Sequence, residues 1–489
     1  MNKLFICLSC FFLSTTVVTA QPSLKWQPIF ETINREVQSN SKAYSTLKEA
    51  SEKIGHRLTG SQNGEKAEEY AYNLFKSDGY EVKYQPFEVE SWSRGTIETR
   101  IGRGLDHTMV KSVALAHSPV KSDVKADLVD MGNGLEEDYL KNPGKVKGKM
   151  ALVYLGILPG PKTGLKNLHR SEKTALATKY GAAGILIFNT VPGGVLLTGT
   201  ASVTGKLIPI PAVCIGLEDG MKLKETLQKE SLQAAVSMTN FSGLIKARNV
   251  IASRKGSSLA KEKIVVGGHL DRWDLAPGAI DNGIGSFSIM DMARTFSALK
   301  LQPKRSVEFV MFMGEEQGLL GSKAYVEQAI KDGSASRIRY MLNYDMSNDP
   351  KGFSSSSAES KEFFQQIGSM ASAIDTTFKN LFNSGAGLHS DHQPFMLQGI
   401  PTGGAAGGRL PNNSGRCYHA DCDSFDLVDE QGMKNTVRFN SMLIYGLADA
   451  VEIAAQRLTD LQTRDFLLKN NLKEALEIAG EWRWKEMGE

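Results

Sequence analysis

Residues 263–285 read KIVVGGHLDRWDLAPGAIDNGIG. The run KIVVGG is β-branched and apolar, as a buried strand requires, and it stops at His269 and Asp271; a helix is expected from Asn282. Moving outward, the same unit recurs. SVEFVMF precedes Glu315 and Glu316 in GEEQG, a helix is expected after Gly318, and YMLNY ends in Asp345. Strands alternating with amphipathic helices predict an α/β fold with a mostly parallel mixed sheet flanked by helices. In open α/β sheets the carboxyl ends of neighbouring strands converge on one crevice. His269, Asp271, Glu315, Glu316 and Asp345 are therefore expected to meet there, with Asp281 joining them from the start of the following helix.

Each element alone has a plain explanation. A histidine after a strand is usually a hydrogen-bonded loop residue, Glu-Glu is usually a solvated surface, and Asp before Asn-Gly is usually a cap or turn. Several such features in order, each at a strand end, with His419 added in YHADCD, favour a shared site. Two imidazoles and several carboxylates, with no obligatory thiolate, suit two zinc ions bridged by one carboxylate, about 3.5–4 Å apart. Of the adjacent Glu315 and Glu316, one can face metal and the other can collect the proton of the attacking water. Asp271 is placed to hold the His269 imidazole from behind. Neither a GxSxG elbow nor an HExxH helix occurs. GIPTGGAAGGRL, from Gly399, matches no phosphate-binding pattern and reads as a loop near the cleft, and the run Ser354–Ser357 also reads as a loop.

At 489 residues two domains are expected. From Leu47 to Leu74 two helices joined by a Gly-rich turn precede the strand-like YEVKYQPFEVES. Short β-branched runs between Val110 and Leu244, with one helical piece around Ser171–Gly181, read as an inserted, largely β domain. The divisions are thus a peptidase segment over 21–110, an insert over 111–244, and a second peptidase segment over 245–489 that turns helical and charged from about Leu443. Residues 1–20 have the layout of a cleavable signal, which implies export to a secreted or periplasmic location; no later segment is long and apolar enough for stable membrane insertion. A net charge of +3 gives no electrostatic footprint for nucleic acid. Beyond the leader with its Cys7 and Cys10 stand Cys214, in an apolar strand-like run, and Cys417 and Cys422, at a separation that a turn can close; their pairing stays open.

Together GGHLDRWDLAPGAIDNGIG, VMFMGEEQGLLGS, LNYDMS, SDHQPFMLQGIP and YHADCDSFDLV closely resemble the co-catalytic zinc exopeptidases, specifically the carboxypeptidase Q (plasma glutamate carboxypeptidase) type. RLTGS and an insert resembling a protease-associated domain, with GKMALVYLG, YGAAGILIFN and IPAVCIG, extend the likeness over nearly the whole mature chain. The resemblance implies that His269 and Asp345 bind one zinc, Glu316 and His419 the other, that Asp281 bridges, and that Glu315 is the general base. It further implies a cis bond at Asp281-Asn282, a homodimer, and hydrolysis of dipeptides or short peptides. Cys417 and Cys422 depart from the subtype's pattern and leave carboxypeptidase and aminopeptidase polarity both open. His389, Asp391 and His392 either reach substrate or serve the structure. A scaffold protein that kept the fold and lost the metals is opposed by the intact ligand set, and a single-zinc cyclase by the insert. Asn240-Phe241-Ser242 and Asn412-Asn413-Ser414 are glycosylation sequons.

Overall fold

In the computed structural model, which describes residues 24–104, 106–160 and 164–484, the three expected strands lie side by side within one sheet. The leader, with Cys7 and Cys10, lies outside the described residues. Helices α1 (Gln27–Asn40), α2 (Ala43–Lys53) and α3 (Gln62–Ser77) come first. Ser61 starts α3 by accepting the Gly64 N–H at 3.0 Å. Strands β1 (Glu81–Arg103), β2 (Asp106–Met109) and β3 (Ser112–Ala114) lead into the insert. Its elements are β4 (Lys121–Asp130), α4 (Glu136–Leu140), β5 (Met150–Tyr154), α5 (Arg170–Lys179), β6 (Gly184–Phe188), β7 (Ala212–Ile215) and α6 (Leu217–Thr226). Strand β8 (Leu232–Arg254) returns to the main sheet. Then follow β9 (Leu259–His269), α7 (Ile284–Ala298), β10 (Arg305–Phe312), α8 (Leu320–Lys331), β11 (Ile338–Asn343), β12 (Gly352–Ser355) and α9 (Lys361–Ile374). Last come β13 (Leu381–Ser384), α10 (His392–Leu397), β14 (Thr402–Ala406), α11 (Glu430–Asp449), α12 (Asp460–Lys469) and α13 (Lys473–Ile478).

The sheet order is β13-β12-β14-β11-β9-β10-β8-β4-β5-β6-β7-β3, with β1 on β8. Strands β10, β9, β11 and β14 run parallel, as the strand-helix alternation requires. Their side chains divide by parity: Ile264, Val266 and Phe309 enter the core under α7 and α11, while Val265, Val310 and Phe312 enter a second core on the other face. Burial on both faces is why these strands read as unbroken apolar runs.

Strands β1 and β8 are 23 residues each and pair antiparallel along nearly their whole length, so the sheet crosses from the peptidase part into the insert without a break. The seam expected between residues 244 and 245 falls inside β8. Besides the expected helix, seen as α5, the insert holds α4 and α6, and β4 to β7 are parallel. Cys214 is buried in β7 as expected, and burial pushes its thiol up to about 12.

Two expected loops are strands in part. The Ser354–Ser357 run begins inside β12, and TGGAA after Pro401 forms β14. Pairing, rather than propensity, makes them so: a Cβ at Gly403 would lie 2.4 Å from the Ser354 carbonyl oxygen, a closeness that only glycine permits. The final main-domain helix starts earlier than expected, at Glu430, where Asp429 accepts the Gln431 N–H; beyond it Ile478 of α13 packs on the insert's core. Among the described residues no helix is long and apolar enough to cross a membrane.

Candidate active site

Strand β9 delivers His269 at its last position, and the loop behind it is tied down by two buried arginines. Arg57 donates to the carbonyls of Leu270 (2.6 Å), Pro277 (2.6 Å) and Gly278 (3.0 Å). Arg272, also fully buried, packs on Gly278, where a Cβ would meet its Cγ at 2.1 Å. Asp423 accepts the N–H groups of Ile280 (2.8 Å) and Asp281 (3.1 Å). Past the cis peptide bond between Asp281 and Asn282, present as expected, the Asn282 amide donates to Tyr344 O at 3.0 Å and accepts the Met346 N–H at 2.9 Å. It also donates to His269 O at 3.3 Å, so one side chain joins the ends of β9 and β11.

The convergence expected at the strand ends is present. His269 Nε2 lies 3.4 Å from Asp281 Oδ1 and 3.4 Å from Asp345 Oδ1. His419 Nε2 lies 3.0 Å from Asp281 Oδ2 and 2.9 Å from Glu316 Oε2. Asp281 thus turns one oxygen to each half of the cluster. The buried Glu316 Oε1 has no hydrogen-bond partner, and imidazoles facing carboxylates in a buried pocket form the donor set of a zinc site. His269, Asp281 and Glu316 place ligand atoms within 4.8 Å of one another.

The Asp271 carboxylate does not hold the imidazole as expected. His269 Nδ1 meets the Asp271 main-chain oxygen at 3.2 Å, with the carboxylate farther away at 3.8 Å. The carboxylate instead accepts the N–H groups of Glu315 and Glu316, each at 3.3 Å, and so sets the turn that carries both glutamates. Thr59 of RLTGS supports the same turn by accepting the Gly314 N–H at 2.8 Å. Burial above all, opposed by His269 and reinforced by Glu316, Asp345 and Asp391, holds the Glu315 carboxyl well above the usual carboxylate range.

Sequence reasoning missed the residues that balance and orient this cluster. Arg272 lies 3.5 Å from Asp281, 3.6 Å from Glu316 and 3.5 Å from Asp423, a buried cation among carboxylates. Thr198 of the insert donates its N–H to His419 O at 2.9 Å, and its own carbonyl oxygen lies 3.2 Å from His419 Nδ1. Arg170 Nη2 of α5 lies 3.0 Å from the same nitrogen. No motif links these residues; only the fold brings the insert to the ligand. Cys417 and Cys422 form a disulfide around His419, with Cα atoms 5.2 Å apart.

Two spaces flank the cluster. On the Asp345 side is an open cleft of about 600 Å³; on the Glu316 side is a chamber of about 80 Å³ closed by α5 and by the chain after α13. Glu315, His389, Tyr418 and His419 line both. His389 stacks on His169 of the insert, and its Nε2 lies 3.4 Å from Glu172 Oε1. His392 lines the cleft, whereas Asp391 is wholly buried and burial lifts its carboxyl to about 7.

Residues 249–444 match peptidase family M28 and residues 124–223 match the PA domain. Leucine aminopeptidase 2 of Trichophyton rubrum is 30% identical over 361 residues, covering 71% of this chain and 68% of that protein. The chain belongs to peptidase family M28. It is a peptidase of this family with an inserted PA domain. Aminopeptidase YwaD of Bacillus subtilis (strain 168) is 26% identical over 420 residues, covering 84% of this chain and 86% of that one. The crystal structure of a peptidase M28 precursor from Shewanella amazonensis SB2B has the same fold, with a TM-score of 0.74, 21% identity, and coverage of 88% of this chain and 99% of that one. The Trichophyton and Bacillus relatives are named as aminopeptidases, so the comparisons carry the family resemblance but not its carboxypeptidase Q subtype.

Proposed function

We propose that the chain is a two-zinc aminopeptidase that removes single residues from the free amino end of short peptides. His269 and Asp345 would hold one ion, His419 and Glu316 the other, and Asp281 would give one oxygen to each. Bound zinc supplies Lewis acidity and a water acidic enough to lose its proton near neutral pH. Glu315, which lines both spaces beside the ligands, would take that proton on its carboxylate and return it to the leaving amine. Asp271 fixes Glu315 and Glu316 through their main-chain N–H groups, and Arg272 limits the repulsion among the carboxylates before metal arrives.

The distribution of cations supports this polarity. A carboxypeptidase must hold a free carboxylate, for which a lysine or arginine fork is the usual partner. Among the described residues no lysine or arginine lines the open cleft. In the chamber Lys323 is engaged by Glu481 at 2.6 Å, and the Arg170 guanidinium lies against His419, 3.0 Å from its Nδ1. The open cleft, with carboxylates and, among the described residues, no lysine or arginine, suits an ammonium end better than a carboxylate end. The names of the Trichophyton and Bacillus relatives favour the same polarity.

The test is hydrolysis of leucyl-anilide with zinc, after chelation, with the amine acetylated, and by Glu315→Gln. Chelator-sensitive cleavage that acetylation and the substitution both abolish is expected. Cleavage indifferent to acetylation would remove the aminopeptidase reading, and cleavage indifferent to chelation would remove the metal mechanism.

A further inference from the structure

The open cleft does not end at the cluster. Ser356, Ser384 and Gly385 line it and also line a second recess of about 360 Å³, whose walls include Met396, Ile400, Pro401, Leu458 and Phe466. The two spaces therefore form one groove, polar near the candidate metal ligands and more apolar at its far end, where Glu359, Gln456, Lys469 and Asn470 also stand. Asn343 of β11, Thr402 and Gly403 of β14, Ser354 and Ser355 of β12, and Asn383 and Ser384 of β13 line the cleft between the ligands and the recess, across four neighbouring strands. Three strand spacings make about 14 Å, the reach of about four extended residues.

Strand β13 is the last strand of the sheet, paired with β12 on one side. Residues 383–387 continue from this strand along the cleft wall.

We infer that the groove is a binding site for the downstream part of the substrate: the enzyme selects peptides of about five residues or longer that carry an apolar side chain about four residues beyond the cleaved bond, received by the Met396–Phe466 recess. This rests on the aminopeptidase reading. Glycines along the wall keep the passage open. At Gly385 a Cβ would meet nothing within 4 Å, so Gly385→Trp places an indole at the junction of the two spaces without a backbone clash. Ala358, exposed at the rim of the recess, offers a second obstruction as Ala358→Trp.

The experiment compares kcat/KM for hexapeptides beginning Leu-Gly, with phenylalanine moved through positions three to six of an otherwise glycine chain, each normalised to the same protein's rate on leucyl-anilide. The zinc-loaded wild type is expected to gain about ten-fold when phenylalanine reaches position four or five. Gly385→Trp and Ala358→Trp are each expected to reduce that gain to within two-fold. A flat series in a protein that cleaves leucyl-anilide overturns the groove alone, as does a gain that survives both substitutions. Failure to cleave leucyl-anilide removes the aminopeptidase reading itself and the proposal with it.

Discussion

Asp423→Asn changes one atom type behind the candidate bridging ligand, and its effect can be worked out from the contacts. The carboxylate accepts two main-chain N–H groups, from Ile280 at 2.8 Å and Asp281 at 3.1 Å, and lies 3.5 Å from Arg272. An amide keeps one acceptor and turns an NH₂ toward either a peptide N–H or the guanidinium, so one charge-assisted bond is lost and a buried donor is left unpaired. That costs about 2 kcal/mol. Part of the loss falls on the placement of Asp281, and disturbing the groups that hold a ligand typically weakens metal binding about 10- to 100-fold. The assay is zinc competition against a chelator of known affinity, paired with urea unfolding of the metal-free protein. Weaker zinc binding by at least about ten-fold is expected. Affinity within two-fold of wild type, with the fold intact, would refute the idea that Asp423 positions Asp281.

Glu315→Gln should lower kcat by about 10²- to 10⁴-fold while elemental analysis finds the zinc content unchanged, because Glu315 is not among the proposed ligands. Arg57→Met removes donors from three carbonyls of the Leu270–Gly278 loop and should cost at least about 3 kcal/mol in urea unfolding. His117, fully buried in the insert, is pushed down to about 4 by burial. As pH falls below about 6.5 the unfolded chain takes up this proton and the folded one does not. About 3 kcal/mol of stability is then lost between about pH 6.5 and 4. In urea melts at pH 7.5 and 4.5, His117→Asn should lose less stability than wild type over that interval by about this amount.

The parallel centre of the sheet and the meeting of His269, Asp281, Glu316 and His419 were legible because both follow from local pattern: apolar runs with a chemical residue at each end, in a fold that brings those ends together. Strands β12 and β14 were not legible. Serine, glycine and alanine have little strand preference, and their pairing is imposed by β11 and by the close approach of Gly403 to Ser354. Arg57, Arg272 and Asp423 escaped for another reason: charged residues are read as surface unless a partner is known, and their partners lie in distant loops. Thr198 and Arg170 stand more than two hundred residues from His419, so no spacing marked the insert as part of the site. No composition change marks where the insert ends, because β8 continues as one strand across residues 244 and 245.

Direction of attack is the most direct test. A pentapeptide with five distinguishable residues, incubated with the zinc-loaded protein and followed by mass spectrometry at early times, is expected to lose its amino-terminal residue first, then the next, with the carboxyl-terminal fragment accumulating in order. Early loss of the carboxyl-terminal residue, or release of internal fragments, would contradict a zinc aminopeptidase built on His269, Asp281, Glu315, Glu316, Asp345 and His419.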